Sequence, residues 1–351
     1  GITHVHHFYT KRSLWVLAAL YEATSRAPAR LQDTVKFFVQ YACLGFSKLS
    51  RYVPTHYSQV NQYLSGTLYV GSQQVEVSYD YILKPKLDRM RTRELIRPYT
   101  GFYTLATAHA AASVEVHEDI DYIFTDPPFG GNLMYSELNF LWEAWLKVFT
   151  NNKPEAVENK AQGKGLQEYQ QLMTECFKEY YRVLKPGRWM TVVFHNSKNS
   201  VWHAIQEALQ AAGFVIADVR TLDKKQGTFK QITSANAVKQ DLVISCYKFS
   251  GGLEERFKLT AGTEEGVWDF VRSHLRQLPV FVFKDGKAEV IAERQNYMLY
   301  DRMVAFHVQR GVMVPLSAAE FYAGLAQRFP ERDGMYFLPD QVAEYDKKRM
   351  T

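Results

Sequence analysis

An aspartate followed by two prolines and a phenylalanine is the segment of this sequence best suited to chemistry. Asp126, Pro127, Pro128 and Phe129 stand directly after the apolar run 121–125, which predicts a short β-strand. Two consecutive prolines cannot continue a strand ladder, and they hold the backbone extended. We therefore expect the Asp126 carboxylate and the Pro127 carbonyl to keep one orientation, with the flat ring of Phe129 beside them.

These groups suit a planar molecule that carries an NH2 group. The Asp126 carboxylate can accept one N–H and the Pro127 carbonyl the other, while a flipped base stacks on Phe129. The amino nitrogen of a base is a poor nucleophile because its lone pair is delocalised into the ring. Two aligned acceptors stabilise the positive charge that develops when this nitrogen attacks an electrophilic methyl group. A purely structural diproline turn is the alternative interpretation.

The elements around this segment alternate between strands and helices. Strands are predicted at 102–107, 189–194, 214–222 and 241–249, and helices at 166–183 and 201–212. The first helix stops at the breaker 185–187, and Gly213 is the candidate C-cap of the second. An amphipathic segment at 136–149 precedes a polar linker at 151–164. This alternation predicts an α/β fold with a mostly parallel sheet, whose last two strands form an antiparallel hairpin.

The flanking regions are predicted to be separate from this core, which spans 99–250. Residues 1–98 contain helices at 13–21 and 32–43 and a hairpin or two short strands at 64–83. A basic stretch then follows, and it is either a solvated helix face or a phosphate contact; its members are Lys84, Lys86, Arg89, Arg91, Arg93 and Arg97.

Residues 251–351 are predicted to be a small accessory α+β domain. A helix at 264–277 precedes a hairpin around 284–287, and a later helix has Ser317 as its N-cap with Glu320 three residues on, the pattern of a capping box. Helix, hairpin and further helices are compatible with a winged-helix-like module. A packing domain that contacts no ligand is the other interpretation.

Composition narrows the class of protein without identifying it. The 351 residues are 46% hydrophobic and carry a net charge of +5, which permits a polyanionic partner without requiring one. Cys43, Cys176 and Cys246 are far apart and form no metal-ligand pattern, so we expect buried free thiols and no metal. The sequence contains neither a signal peptide nor an apolar run of about 20 residues, so we expect a cytoplasmic protein without a membrane span.

The Asp-Pro-Pro-Phe segment resembles the (Asp/Asn/Ser)-Pro-Pro-(Tyr/Phe/Trp) signature of methyltransferases that act on adenine N6 or cytosine N4. Two longer segments are similar to large bacterial site-specific DNA methyltransferases of restriction-modification systems: 120–146 (IDYIFTDPPFGGNLMYSELNFLWEAWL) and 225–245 (KQGTFKQITSANAVKQDLVIS). The resemblance covers 100–250 well and the flanks loosely. It implies a Rossmann-like class I sheet, S-adenosyl-L-methionine as cofactor and DNA as substrate, with adenine favoured over cytosine.

The resemblance also implies roles for individual residues. Asp126, Pro127, Pro128 and Phe129 would be the catalytic corner. Four residues would line the base pocket: Gly130, Asn132, Tyr135 and His195. The alternative interpretation of His195, which stands at a strand end, is a structural residue held by hydrogen bonds. The loop residues Lys224, Lys225 and Lys230 would contact phosphate, or else belong to a solvated hairpin loop.

One part of the family pattern is missing from this sequence. Such enzymes bind the cofactor with a Gly-rich turn (Phe-x-Gly-x-Gly or similar) after the first strand, and we find none here. The cofactor half is expected upstream in a longer protein, which would also account for Gly1 if it is not a tag scar. Otherwise it belongs to a separate subunit, or the segment 7–12 (HFYTKR) contributes to it. The cofactor-binding residues are therefore not assigned.

Three other functions are compatible with the motif. RNA bases and protein glutamine amides also present an NH2 group, although glutamine enzymes usually begin the motif with Asn, which argues against them here. A chain without a cofactor half would instead be a non-catalytic module that binds nucleic acid or a protein partner.

Overall fold

The computed structural model describes residues 2–52, 59–63, 68–76, 78–92, 120–196, 198–223, 240–250, 252–284 and 287–350. Contacts between residues divide the chain into two compact units. The first consists of Gly1–Thr107 and Gly131–Glu155, and the second of Ala108–Gly130 and Ala156–Thr351.

The first unit is built from helices around one apolar cluster. A short 3₁₀ helix (Val5–Phe8) leads into α1 (Lys11–Arg26), α2 (Ala29–Cys43), the paired strands β1 (Ser50–Arg51) and β2 (Gln59–Tyr63), α3 (Tyr79–Thr92) and α4 (Tyr135–Leu146). Each helix contributes at least one buried side chain to the cluster, among them Leu17, Val39, Ile82 and Leu141. The helices predicted at 13–21 and 32–43 are confirmed as α1 and α2, and the amphipathic segment at 136–149 forms most of α4. The end of α2 at Cys43 is the predicted one, whereas the other bounds differ.

The hairpin predicted at 64–83 is wrong over its last residues, because helix α3 begins at Tyr79. Tyr79, Tyr81 and Ile82 have high strand propensity, but burial of Ile82 against the core of this unit decides the local structure. The basic stretch follows on the same helix. Lys86 lies 3.5 Å from the ring centre of Tyr41, whose hydroxyl accepts a hydrogen bond from Arg89 at 3.2 Å. Arg93 and Arg97 lie outside the described residues.

A four-stranded sheet forms the centre of the second unit. It contains β3 (Ile120–Thr125), β4 (Leu184–Phe194), β5 (Val215–Asp223) and β6 (Gln240–Tyr247), in the order β3-β4-β6-β5. The pair β3/β4 is parallel, whereas β6 is antiparallel to both β4 and β5. This arrangement confirms the α/β class and the antiparallel terminal hairpin. The strand predicted at 102–107 lies outside the described residues.

Two helices cover one face of this sheet. They are α5 (Leu166–Val183) and α6 (Asn199–Ala211), and they pack on a cluster that includes Ile123, Met190 and Val192. These three side chains share a face because Ile123 pairs with Met190 in register and strand side chains alternate between faces. Helix α5 has the predicted bounds, and Gly213 follows α6 with a φ of 103°.

Two predicted connections differ from the structure. Helix α5 ends directly before the breaker 185–187, but β4 begins at Leu184 and not at the predicted residue 189. The pairing of β4 with β3 shifts its register between Leu184 and Trp189, where β4 bulges. Gly187, with φ of 74°, supplies the left-handed backbone that this bulge contains. The polar linker predicted at 151–164 is not solvated throughout, since Ala156 and Val157 are buried and Lys160–Gln162 forms a 3₁₀ turn.

The segment after the sheet contains mainly helices. These are α7 (Leu253–Thr260), α8 (Glu264–Gln277), α9 (Asn296–Gln309), α10 (Ala318–Arg328) and α11 (Pro339–Met350), with two small hairpins, β7/β8 (Phe283–Lys284 and Lys287–Ala288) and β9/β10 (Glu331–Arg332 and Met335–Tyr336). The predicted helix 264–277, the hairpin and the capping box of Ser317 and Glu320 are confirmed. The domain boundary at 250 stays a prediction.

Residues on both sides of position 250 share one hydrophobic cluster. Tyr247 at the end of β6 and Phe249 just after it pack with Phe270 of α8 and Phe306 of α9. The rings of Phe249 and Phe306 are 5.3 Å apart in an edge-to-face arrangement. The helices after the sheet therefore complete the burial of its last strand.

The three cysteines are buried free thiols, as predicted. Burial raises the pKa of Cys43 and of Cys176 to about 12, and it raises the pKa of Cys246 further. A thiol with so high a pKa is almost entirely protonated at neutral pH, so none of the three is a ready nucleophile.

A buried histidine connects β6 to the helices that follow. His274 of α8 is fully buried, and its Nδ1 lies 2.6 Å from the hydroxyl of Tyr247. Burial, followed by the nearby charges of Arg302 and Arg294, lowers the pKa of His274 to about 3. His274 is therefore neutral in the folded protein at any pH near neutrality.

This shift predicts a loss of stability in acid that His274→Gln reduces. Between pH 6.5 and pH 3 the unfolded histidine binds a proton that the folded one does not, so stability falls as the pH falls. From pH 7 to pH 5 we expect this group to contribute about 2 kcal/mol of that loss. Urea unfolding at both pH values measures it in the wild type and in H274Q. Equal pH dependence in the two proteins would refute the assignment; His307, whose pKa is also lowered, is present in both.

Candidate active site

The carboxyl ends of two parallel strands place the predicted catalytic residues at one edge of the sheet. Strand β3 ends at Thr125, directly before Asp126. The residue of β4 that pairs with Thr125 is Val192. Strand β4 ends at Phe194, directly before His195. Asp126 is exposed and Pro127 is buried. The carboxylate is thus at the surface on the edge where open α/β sheets bind ligands.

The ring of Phe129 is fixed by aromatic neighbours. Its centre lies 5.3 Å from that of Phe194, in an edge-to-face arrangement, and 6.1 Å from that of His195. Phe129 remains half-buried at the rim of the core cluster. One side of the ring therefore packs on the protein while the residue still reaches the surface, which a stacking platform for a base requires.

Two side chains hold the motif loop (residues 126–130), and the sequence analysis assigned this role to neither of them. The hydroxyl of Tyr169 on α5 donates to the carbonyl of Pro128 at 2.5 Å, and the Nδ2 amide of Asn196 donates to the carbonyl of Phe129 at 3.0 Å. The Oδ1 of Asn196 in turn accepts from the backbone N–H of Lys198 at 2.8 Å. Asn196 stands next to a predicted strand end, which is a weak signal, whereas nothing local distinguishes Tyr169.

Gly130 closes the motif loop in a conformation that favours glycine. Its φ is 66°, and a Cβ at this position would lie 2.7 Å from Oε1 of Glu158 and 3.4 Å from Nδ2 of Asn196. Glu158 also lies near Lys198, with 3.6 Å between Nζ and Oε2. Gly130 thus permits a close approach between the loop and these side chains. Its place in a base pocket stays a prediction.

His195 lies against a buried carboxylate. Its Nδ1 is 2.9 Å from Oδ1 of Asp241, the second residue of β6, and the Asp241 side chain is almost inaccessible. A carboxylate at one ring nitrogen orients the imidazole and directs its other nitrogen away from it. The sequence analysis recognised Asp241 only as part of a strand, so this partner was missed.

The remaining predicted site residues are not among the described residues of the second unit, which contains the motif loop. Asn132 and Tyr135 belong to the first unit, where both are exposed and Tyr135 begins α4. Their role in a base pocket stays a prediction. Lys224, Lys225 and Lys230 lie outside the described residues.

No group of three or more histidine, cysteine or acidic side chains in the described part of the chain is arranged to hold a metal ion. None of the helices in that part is both long enough and apolar enough to span a bilayer.

The mixed sheet with its terminal antiparallel hairpin, and the Asp-Pro-Pro-Phe loop at a strand end, agree with the methyltransferase fold that the sequence resemblance implies. Residues 120–271 match the model of a protein family described as DNA methylase. This match confirms the resemblance drawn from the sequence. It runs from the start of β3 into α8 and covers less than half of the chain.

Comparisons with other proteins add little to this assignment. No curated protein sequence matches the chain. Among solved structures, a SAM-dependent methyltransferase from Methanosarcina mazei is 11% identical with a TM-score of 0.26, over 48% of this chain and 78% of that one. A protein of Thermus thermophilus described as a DNA modification methylase, in complex with S-adenosyl-L-methionine, is 15% identical with a TM-score of 0.23, over 49% and 69% of the two chains. Likenesses of this degree do not bear on activity.

Proposed function

We propose that this protein methylates the exocyclic amino group of a DNA base, with adenine N6 preferred to cytosine N4. The observation that carries the proposal is the exposed Asp126 carboxylate at the carboxyl end of β3, followed by a buried proline and an aromatic ring fixed at the surface. The family match at residues 120–271 supports DNA as the substrate.

The motif loop activates the amine by accepting hydrogen bonds from its two N–H groups. The Asp126 carboxylate accepts one hydrogen bond and the Pro127 carbonyl accepts the other, while Phe129 stacks against the flipped base. The negative charge of Asp126 stabilises the positive charge that develops on the nitrogen as it attacks, so the interaction is stronger in the transition state than in the ground state. Fixing the base against Phe129 holds the nitrogen in line with the methyl group.

The cofactor is S-adenosyl-L-methionine, which would supply the electrophilic methyl group and leave as S-adenosylhomocysteine, while the methylated nitrogen would lose one proton to the Asp126 carboxylate or to water. An exposed carboxylate beside the amine suits a donor that carries a positively charged sulfonium. No Gly-rich turn follows a strand in this sequence, so we assign no residue of the chain to cofactor binding.

Parallel methyl transfer to three acceptors tests the proposal. The intact protein is incubated with labelled S-adenosyl-L-methionine and with unmethylated genomic DNA, tRNA or protein extract. We expect label in DNA, and N6-methyladenine on nucleoside analysis. Label in N4-methylcytosine would correct the choice of base, whereas label in tRNA or protein alone would overturn DNA as the substrate. Absence of label in all three would favour the non-catalytic module.

A further inference from the structure

The two prolines of the motif reduce the number of backbone hydrogen bonds that can hold the motif loop in place. Pro127 and Pro128 have no N–H, so neither can be held by a ladder hydrogen bond donated from its own backbone. At these two residues only the carbonyls are available as backbone attachment points. The structure uses two of these consecutive carbonyls: Pro128 O accepts from Tyr169, and Phe129 O accepts from Asn196.

Both donors come from rigid, buried surroundings. Tyr169 is fully buried on α5, inside the cluster that packs beneath the sheet, and Asn196 is 9% exposed. Asn196 is itself held through Lys198, the N-cap residue of α6. The two hydrogen bonds therefore connect the motif loop to two separate helices of the same unit.

The bond from Tyr169 also restrains the carbonyl that precedes it. The ring of Pro128 fixes its φ near −65°, so the orientations of the Pro127 and Pro128 carbonyls differ only through rotation about ψ of Pro128. Holding Pro128 O with a buried hydroxyl restricts that rotation. The direction of the Pro127 carbonyl, which accepts one hydrogen of the amine in the proposed mechanism, is thereby set.

We propose that Tyr169 and Asn196 are positioning residues for methyl transfer, which act by aiming the Asp126–Pro127 acceptor pair through the carbonyls of Pro128 and Phe129. The inference rests on the proposed function. It assigns to these side chains no contact with substrate. Their loss misdirects the acceptors by a fraction of a bond length or more, and a misplacement of about 1 Å lowers a rate by about 100-fold.

Two nearly isosteric variants remove the donated hydrogen bonds. Tyr169→Phe deletes the hydroxyl and keeps the ring in the core. Asn196→Asp replaces the donor with oxygen and keeps the acceptor for the Lys198 N–H, but it also adds a negative charge next to the Phe129 carbonyl, so the comparison of kcat, KM and unfolding midpoint in Y169F carries the test. Tyr122→Phe is the matched control, since its hydroxyl donates to Thr191 Oγ1 at 2.7 Å, in the same unit and away from the motif loop.

The measurements separate positioning from general support of the fold. With the intact protein and a DNA duplex containing the methylated site found in the labelling experiment, we expect Y169F and N196D each to lower kcat by about 10- to 100-fold. The KM for DNA, the emission of 2-aminopurine at the target position and the thermal unfolding midpoint should stay close to the wild type. Y122F should keep the wild-type kcat. The double variant should lose less than the product of the single losses, because both bonds hold one loop.

The following results would overturn the inference. Wild-type kcat in both variants would do so, and so would a fall in kcat that is matched by a rise in KM and a lower unfolding midpoint, since that is the signature of a structural role. If the wild type is active and loses activity on Asp126→Asn while Y169F and N196D do not, only the inference fails. If the wild type labels no acceptor, the proposed function fails and this inference fails with it.

Discussion

Asp126→Asn is expected to lower kcat for DNA methylation by about 100- to 1,000-fold, the loss seen when one preorganised group that stabilises transition-state charge is removed. Asparagine keeps the size of the side chain and one acceptor oxygen, but not the negative charge that favours a developing cation. Asp126 is exposed, so we expect the effect on the fold to be small compared with the effect on kcat. Single-turnover rates at saturating DNA measure the effect.

Asp121→Asn is the matched control for this prediction. Asp121 lies on β3, five residues before Asp126, and pairs at the surface with Lys185 at 3.1 Å and Arg188 at 3.4 Å. Loss of such an exposed ion pair changes stability by about 1 kcal/mol or less, and it should leave kcat unchanged. A wild-type rate for Asp126→Asn, or an equal fall for both variants, would refute the role of Asp126 as the charged acceptor.

Phe129→Ala separates base binding from activation of the amine. It removes the stacking surface but leaves both acceptors, so we expect the KM for DNA to rise more than kcat falls. Stacking of a base on an aromatic side chain contributes about 1–3 kcal/mol. Phe129→Tyr keeps the ring and should restore binding. If Asp126→Asn and Phe129→Ala both leave turnover near normal, the assignment of the motif loop as the catalytic corner is wrong.

The features that the sequence predicted well are those with a local cause. The strand before Asp126 is a short apolar run ended by two prolines, and helix α8 begins with a capping threonine and keeps one apolar face. The capping box of Ser317 and Glu320 likewise depends on residues three apart. In each case the residues that decide the structure are neighbours in the chain.

The features that could not be predicted from the sequence depend on contacts between residues that are far apart along the chain. Tyr169 lies 41 residues from the carbonyl that it holds, and Asn196 lies 67 residues from its own. Asp241 meets His195 only because β6 inserts between β4 and β5. The error at α3 has the same origin, since its strand-like residues are overridden by burial of Ile82. The acceptors of the candidate site could therefore be predicted, but the groups that hold them could not.

A buried arginine is expected to dominate the stability of the helices that follow the sheet. Arg294 is fully buried and donates five hydrogen bonds, to the carbonyls of Pro279, Tyr336, Leu275 and Leu278 and to Oε1 of Gln341. Burial lowers its pKa to about 10, so the guanidinium remains charged at neutral pH. Two of these acceptors, Leu275 and Leu278, are at the C-terminal end of α8, where a cation is favourable.

Arg294→Met should therefore lower the free energy of unfolding by about 3–5 kcal/mol, the usual range when one partner of a buried charged network is removed. Methionine fills much of the volume but removes a donor from four carbonyls and an amide oxygen. Leu275 O and Gln341 Oε1 each keep one other donor, Gln341 Nε2 and the Leu338 N–H. Urea denaturation measures the loss.

Arg256→Met is the matched control, because Arg256 is half-exposed and its side chain pairs only with Asp269, at 2.8 Å, among the contacts that the structure describes. This variant should lower the free energy of unfolding by about 1 kcal/mol or less. Equal losses in the two variants would contradict the role of Arg294, since the same side chain is removed in both and only its burial and its partners differ.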